Sequence, residues 1–135
     1  MAITKRRKIG NLGEDLASKY LLSKGFTILE RNFSRKCGEI DIVTLKADEL
    51  CFIEVKSVSR EMALWPGSDV SHETNYRPED NVNDLKLNKI KRTIRVYLME
   101  KKLKESYNWN FALITVFLDF KRRISRVNMI KDIII

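Results

Sequence analysis

Two neighbouring segments decide the fold: Gly38-Glu39-Ile40-Asp41-Ile42-Val43-Thr44-Leu45-Lys46 and Leu50-Cys51-Phe52-Ile53-Glu54-Val55-Lys56-Ser57-Val58. Each reads as a strand, over Glu39 to Lys46 and Leu50 to Val58, because β-branched and aromatic residues dominate both. The Ala47-Asp48-Glu49 link has the length of a tight hairpin loop, so the two should pair antiparallel. Cys51 to Val55 is apolar enough for a central strand covered on both faces. Residues two apart share a face, so Glu54 and Lys56 project together, and the hairpin brings Asp41 alongside Glu54. Adjacent carboxylates repel unless a hard cation lies between them. Mg²⁺ takes such oxygen ligands and keeps positions open for water and phosphate oxygens. Lys56 could then stabilise charge on a phosphate or orient the attacking water. Read locally, Glu54 and Lys56 are equally a solvated pair worth about 0–1 kcal/mol. The pattern leaves both readings open.

Before the hairpin, Leu12, Leu16, Ala17, Tyr20 and Leu21 fill one face of a helix running from about Leu12 to Lys24. Asn11 reads as its N-cap, Glu14 as the capping-box acid three residues on, and Lys24-Gly25 as its end. Phe26 to Phe33 reads as a strand. After the hairpin, residues 59–83 hold no period and are broken by Pro66, Gly67 and Pro78, which predicts a long, mobile loop. A second helix runs from Asp84, its cap, to about Lys104, with Leu87, Ile90, Ile94, Tyr97 and Leu98 as its apolar stripe. Trp109 to Phe120 and Ile124 to Ile130 complete the pattern as two strands joined by a turn. Helix, three strands, helix, two strands places the chain in the α/β class.

Length and composition agree with that reading. A chain of 135 residues that is 44% hydrophobic can bury the core of one domain, so residues 1–135 are read as a single unit. No apolar run suits a bilayer span. The basic start, residues 1–8, is not followed by the apolar stretch of a signal peptide, and two cysteines make no disulfide framework. A cytoplasmic protein without a membrane partner is the expectation. The net charge of +8 asks for a polyanion, with nucleic acid ahead of an anionic membrane surface. Arg35, Lys36, Lys86, Lys89 and Arg92 are the candidate phosphate contacts, although a run of charge on a helix is also an ordinary solvated face. His72 and Cys37 lack partners for a metal site, and Cys51 reads as a core residue. Trp65 reads as packing over the domain edge, with base stacking as the alternative. Ile133-Ile134-Ile135 either extends the last strand or covers a dimer contact.

Gly13-Glu14-Asp15-Leu16-Ala17, Gly25 to Asn32, Gly38-Glu39-Ile40-Asp41-Ile42-Val43 and Phe52-Ile53-Glu54-Val55-Lys56 together resemble the YraN family of predicted endonucleases. That family is related to archaeal Holliday-junction resolvases within the PD-(D/E)XK nuclease superfamily. The resemblance implies a restriction-endonuclease-like αβββαβ core, a mixed sheet flanked by helices. It implies Asp41 and Glu54 as ligands of Mg²⁺ or Mn²⁺, Lys56 as the catalytic lysine, and Glu14 as the carboxylate that completes the site. Ile40 replaces the superfamily's usual proline, and no expected ligand is missing. The activity so implied is hydrolysis of DNA phosphodiesters, with branched DNA among the substrates and a homodimer among the assemblies. The alternative is a non-catalytic nucleic-acid-binding module on the same fold, which needs the basic helix but not the carboxylates.

Overall fold

The first helix starts about two turns earlier than its periodicity predicts. Thr4 Oγ1 accepts a hydrogen bond from Arg7 N at 3.2 Å, and helix α1 spans Lys5–Ser23. Asn11 therefore lies inside the helix, and Glu14 sits near its middle instead of serving a capping box. The reason is tertiary: Gly13, Ala17 and Leu21 are buried at a spacing of four, and Ile9 extends that stripe one turn back onto the same core. The end falls where expected. Gly25 has φ 89°, and Phe26 N donates to Leu21 O while Gly25 N donates to Leu22 O, the Schellman arrangement.

The computed structural model describes residues 4–59, 84–104 and 106–135. The expected loop, with Trp65 and His72, lies outside them apart from Ser59. The described residues form a five-stranded mixed sheet in the order β1-β2-β3-β4-β5: β1 Thr27–Arg35, β2 Gly38–Lys46, β3 Glu49–Ser59, β4 Trp109–Asp119 and β5 Ile124–Ile130. Only β3 and β4 are parallel, and helix α2, Asp84–Glu100, falls in the crossover between them. The hairpin loop is shorter than predicted. Lys46 pairs with Glu49, and the two residues between them, Ala47 and Asp48, have φ of 50° and 63°, as a type I′ turn requires.

Each face of the sheet carries one helix. On the α1 side, Ala17 and Leu21 bury against Ile42, Ile53, Ile114 and Val116. On the α2 side, Ile90, Ile94, Tyr97 and Leu98 bury against Phe33, Val43, Phe52 and Phe111. Phe52 meets Tyr97 and Trp109 edge-on at centroid distances of 5.4 and 5.8 Å, contacts worth about 0.5–1.5 kcal/mol each beyond burial. As its apolar run predicts, β3 is covered on both faces. Its own Ile53 and Phe52 belong to opposite cores.

Two ends differ from the sequence reading. Helix α2 stops at Glu100 instead of Lys104 because Lys102 turns left-handed at φ 58° and Leu103 N bonds back to Leu98 O. Asp84 occupies its first turn. The terminal isoleucines neither lengthen β5 nor all stay exposed. Ile133 and Ile135 pack on the α2-side core while Ile134 is 94% exposed. Among the described residues, no helix is long and apolar enough to cross a membrane.

Candidate functional site

The β2–β3 ladder runs from Lys46↔Glu49 to Ile42↔Ile53. Beyond that pair, Val55 N donates to Asp41 Oδ2 at 2.7 Å, so a side chain satisfies the amide that a strand partner would otherwise take. A change of face sets up this contact. Residues two apart on a regular strand share a side. Yet Ile42 belongs to the α1-side core and Ile40 to the α2-side core. The neighbouring strand does the same between Arg31, which reaches α1, and Phe33, which is in the α2-side core. The register passes from Arg31↔Ile42 to Phe33↔Ile40, skipping Asn32 and Asp41, and Asn32 takes φ 55°. Asp41 thus sits at a kink, where its carboxylate can turn toward β3.

A cavity of ≈ 640 Å³ opens at this point, lined by Glu14 from α1, Glu39 and Asp41 from β2, and Glu54, Lys56 and Ser57 from β3. Lys5 and Arg6 of α1 complete its wall. Glu14 is held over β3 by a close helix–strand approach. A methyl group at Gly13 would overlap Ser57 Oγ, so only glycine lets α1 come this near. The Glu14 side chain is 17% exposed, and its Oε1 has no hydrogen-bond partner. Arg31 Nη2 lies 3.6 Å from that oxygen, a charge contact too long for a hydrogen bond, while Arg31 Nη1 is 3.0 Å from Asp15.

These carboxylates strain one another. Burial first, and the charge of Glu54 second, push the Asp41 carboxyl up to about 7, against the pull of the Val55 N–H. Burial likewise raises Glu14, opposed by Arg31. Glu54, with a side chain 15% exposed, is offset by Lys86 of α2, whose Nζ stands 2.8 Å from Glu54 Oε1. Lys86 and Lys89 line an adjoining cavity of ≈ 260 Å³ that shares Glu39 and Glu54 with the first.

Against known proteins, residues 13–124 match the model of "Uncharacterised protein family UPF0102". A UPF0102 protein of Clostridium kluyveri is 38% identical over 126 residues, 93% of each chain. Another, of Campylobacter fetus, is 42% identical over 104 residues, 77% of each chain, and one of Campylobacter lari is 41% identical over 110 residues, 82% of this chain and 84% of its own. The chain belongs to this family. The matched span includes Glu14, Asp41, Glu54 and Lys56 and leaves out Lys5 and Arg6.

The UPF0102 fold therefore brings together all four residues singled out as a site, on three different elements. The basic candidates divide. Lys86 and Lys89 border the carboxylates, Arg92 is exposed further along α2, and Lys36 is exposed in the β1–β2 turn. Arg35 is spoken for: Nε and Nη2 each bond Glu100 at 2.7 Å, and the guanidinium lies 4.1 Å from the Phe33 ring centroid. It ties β1 to the end of α2. Sequence reasoning missed Lys5, Arg6, Glu39 and Ser57 as lining residues. Ile9, one turn before Gly13 on the buried stripe, was the signal that the helix reaches back to Lys5.

Proposed function

We propose that this chain is a nuclease that uses a divalent metal ion to hydrolyse DNA phosphodiesters, branched DNA included. The convergence of Glu14, Asp41, Glu54 and Lys56 on one cavity carries the reading. The donor set fits Mg²⁺ or Mn²⁺. It is all oxygen, Asp41 is costly to ionise without a neighbouring cation, and Glu14 Oε1 is buried with no hydrogen-bond partner, only the charge of Arg31 3.6 Å away. Among the described residues, no three acidic, His or Cys side chains close around a common point. Mg²⁺ commonly takes one or two carboxylates and fills its remaining positions with water and phosphate oxygens. Asp41 and Glu54 would hold the ion, with Glu14 completing the site.

A bound divalent ion would supply Lewis-acid polarisation of a phosphate and a more acidic water. The chain's own residues do the rest. Lys56, exposed at the cavity, is positioned for charge developing on the phosphate or for the attacking water. Lys86 and Lys89 offer phosphate contacts beside the carboxylates. Hydrolysis adds water oxygen to phosphorus, breaks one ester P–O bond and leaves the departing oxygen protonated.

The test is incubation of purified protein with plasmid, single-stranded and four-way-junction DNA in Mg²⁺ and in Mn²⁺. Cleavage that falls by about 10²–10⁴ in Asp41→Ala, Glu54→Ala and Lys56→Ala is expected. Intact DNA under every condition would sink the proposal. A second reading, a binding module without catalysis, draws on the Lys86–Glu54 ion pair, which neutralises one carboxylate with no metal at all. It requires salt-dependent DNA binding that Glu54→Ala leaves unchanged, with no cleavage.

A further inference from the structure

Taking the nuclease reading as its basis, we propose that Lys5 and Arg6 form a second phosphate-gripping wall, so that a DNA strand passes between them and Lys86–Lys89 with the carboxylates beneath. Lys5 and Arg6 line the same cavity as Glu14, Asp41 and Glu54. Lys86 and Lys89 line the adjoining one, and the two cavities share Glu39 and Glu54. An acidic floor thus has basic side chains on one side from α1 and on the other from α2. A polyanionic backbone meets cations on both flanks with or without a metal, and a divalent ion bound between the carboxylates would add to that attraction by reversing their sign.

The α1 side chains are placed there by the fold. Lys5, Arg6, Ile9, Gly10, Gly13 and Glu14 recur at helical spacing on one face, and Gly13 seats that face against Ser57. Ile9 joins the core and Glu14 reaches the cavity, so the same face carries Lys5 and Arg6 along its wall. A Cβ at Gly10 would meet nothing within 4 Å, which leaves the wall open between the cations and Glu14. The arrangement works against the helix itself. Lys5, Arg6, Arg7 and Lys8 crowd its first turn with no acid among them, where like charges repel and the helix dipole prefers anions. A bound polyanion relieves that repulsion.

The experiment measures binding of fluorescent single-stranded and four-way-junction DNA by the full chain in chelator, over a range of salt. Lys5→Gln/Arg6→Gln is compared with Arg7→Gln/Lys8→Gln, which removes the same charge from residues that do not line the cavity. The first pair should lower affinity about tenfold at low salt and cut the salt slope by about 1–2, while its melting temperature stays level or rises. The second should lose markedly less affinity. Equal losses from both pairs would reduce the effect to net charge and overturn the proposal. So would a fall in affinity accompanied by a fall in melting temperature. Binding to phosphatidylserine vesicles that needs Lys5 and Arg6, with no such need for DNA, would overturn it in favour of a membrane surface. Because no cleavage enters these readouts, an inactive protein would defeat the nuclease reading and leave this result standing.

Discussion

Replacing Asp41 with asparagine should make the metal-free protein more stable at neutral and alkaline pH, and the gain should shrink as the pH falls and disappear only near 3.8. In the folded chain Asp41 holds its proton up to about 7, against an ordinary value of 3.8. Below 3.8 the carboxyl is protonated whether the chain is folded or not. Between 3.8 and about 7 the folded chain keeps a proton that the unfolded chain has released, so stability falls as pH rises through this window and levels off above it. The full window is worth roughly 4 kcal/mol at most, and the part between pH 5 and pH 8 about 2–3 kcal/mol. Asparagine retains an oxygen for the Val55 N–H but carries no charge. Urea titrations of wild type and Asp41→Asn in chelator, at pH 5 and pH 8, read the difference directly. The gap between the two proteins should widen by about 2–3 kcal/mol toward pH 8. Glu54→Gln should reproduce part of it, since the Glu54 charge is the second cause of the shift. Adding Mg²⁺ at pH 8 should stabilise wild type and leave Asp41→Asn nearly unmoved. Parallel pH profiles for wild type and Asp41→Asn would refute the reasoning, because the carboxyl would then pay no penalty for ionising in the folded chain.

Other outcomes follow from the same geometry. Lys86→Met frees Glu54 from its ammonium partner, so Mn²⁺ affinity measured by calorimetry should rise by up to about fivefold while DNA affinity falls. Gly13→Ala forces α1 away from Ser57 and should weaken both Mn²⁺ binding and cleavage, and the double variant Gly13→Ala/Ser57→Gly should recover them. Failure of that rescue would mean that the contact does not place Glu14. Arg35→Ala should leave DNA affinity within about twofold of wild type, because the guanidinium is already bonded to Glu100. Phe52→Ala should cost about 3–5 kcal/mol in a denaturant titration, since it removes the ring that meets both Tyr97 and Trp109.

Local chemistry determined much of this protein. The β2–β3 hairpin, the Gly25 helix stop and the apolar run of β3 are short-range features legible from residue types and spacing, although the turn holds only Ala47 and Asp48 and not Glu49. The nearness of Asp41, Glu54 and Lys56 was legible as well, because a hairpin puts them at neighbouring levels of adjacent strands, but the pattern left open whether they form a site or a solvated surface. Glu14 was legible only through family resemblance, since its local pattern reads as a cap. The rest depended on contacts between segments distant in sequence. The true start of α1 follows from Ile9 finding a core that β-strands many residues away supply. The Glu14 oxygen is buried because Gly13 meets Ser57, and no one-dimensional pattern encodes that approach. The face switch at Asp41 needs Asn32 on the neighbouring strand to turn left-handed at the same level. Arg35 looked free for phosphate until the end of α2 brought Glu100 to it. Periodicity fixes which residues share a face. Only packing decides what that face meets, and here it sets carboxylates and cations from separate elements around one cavity.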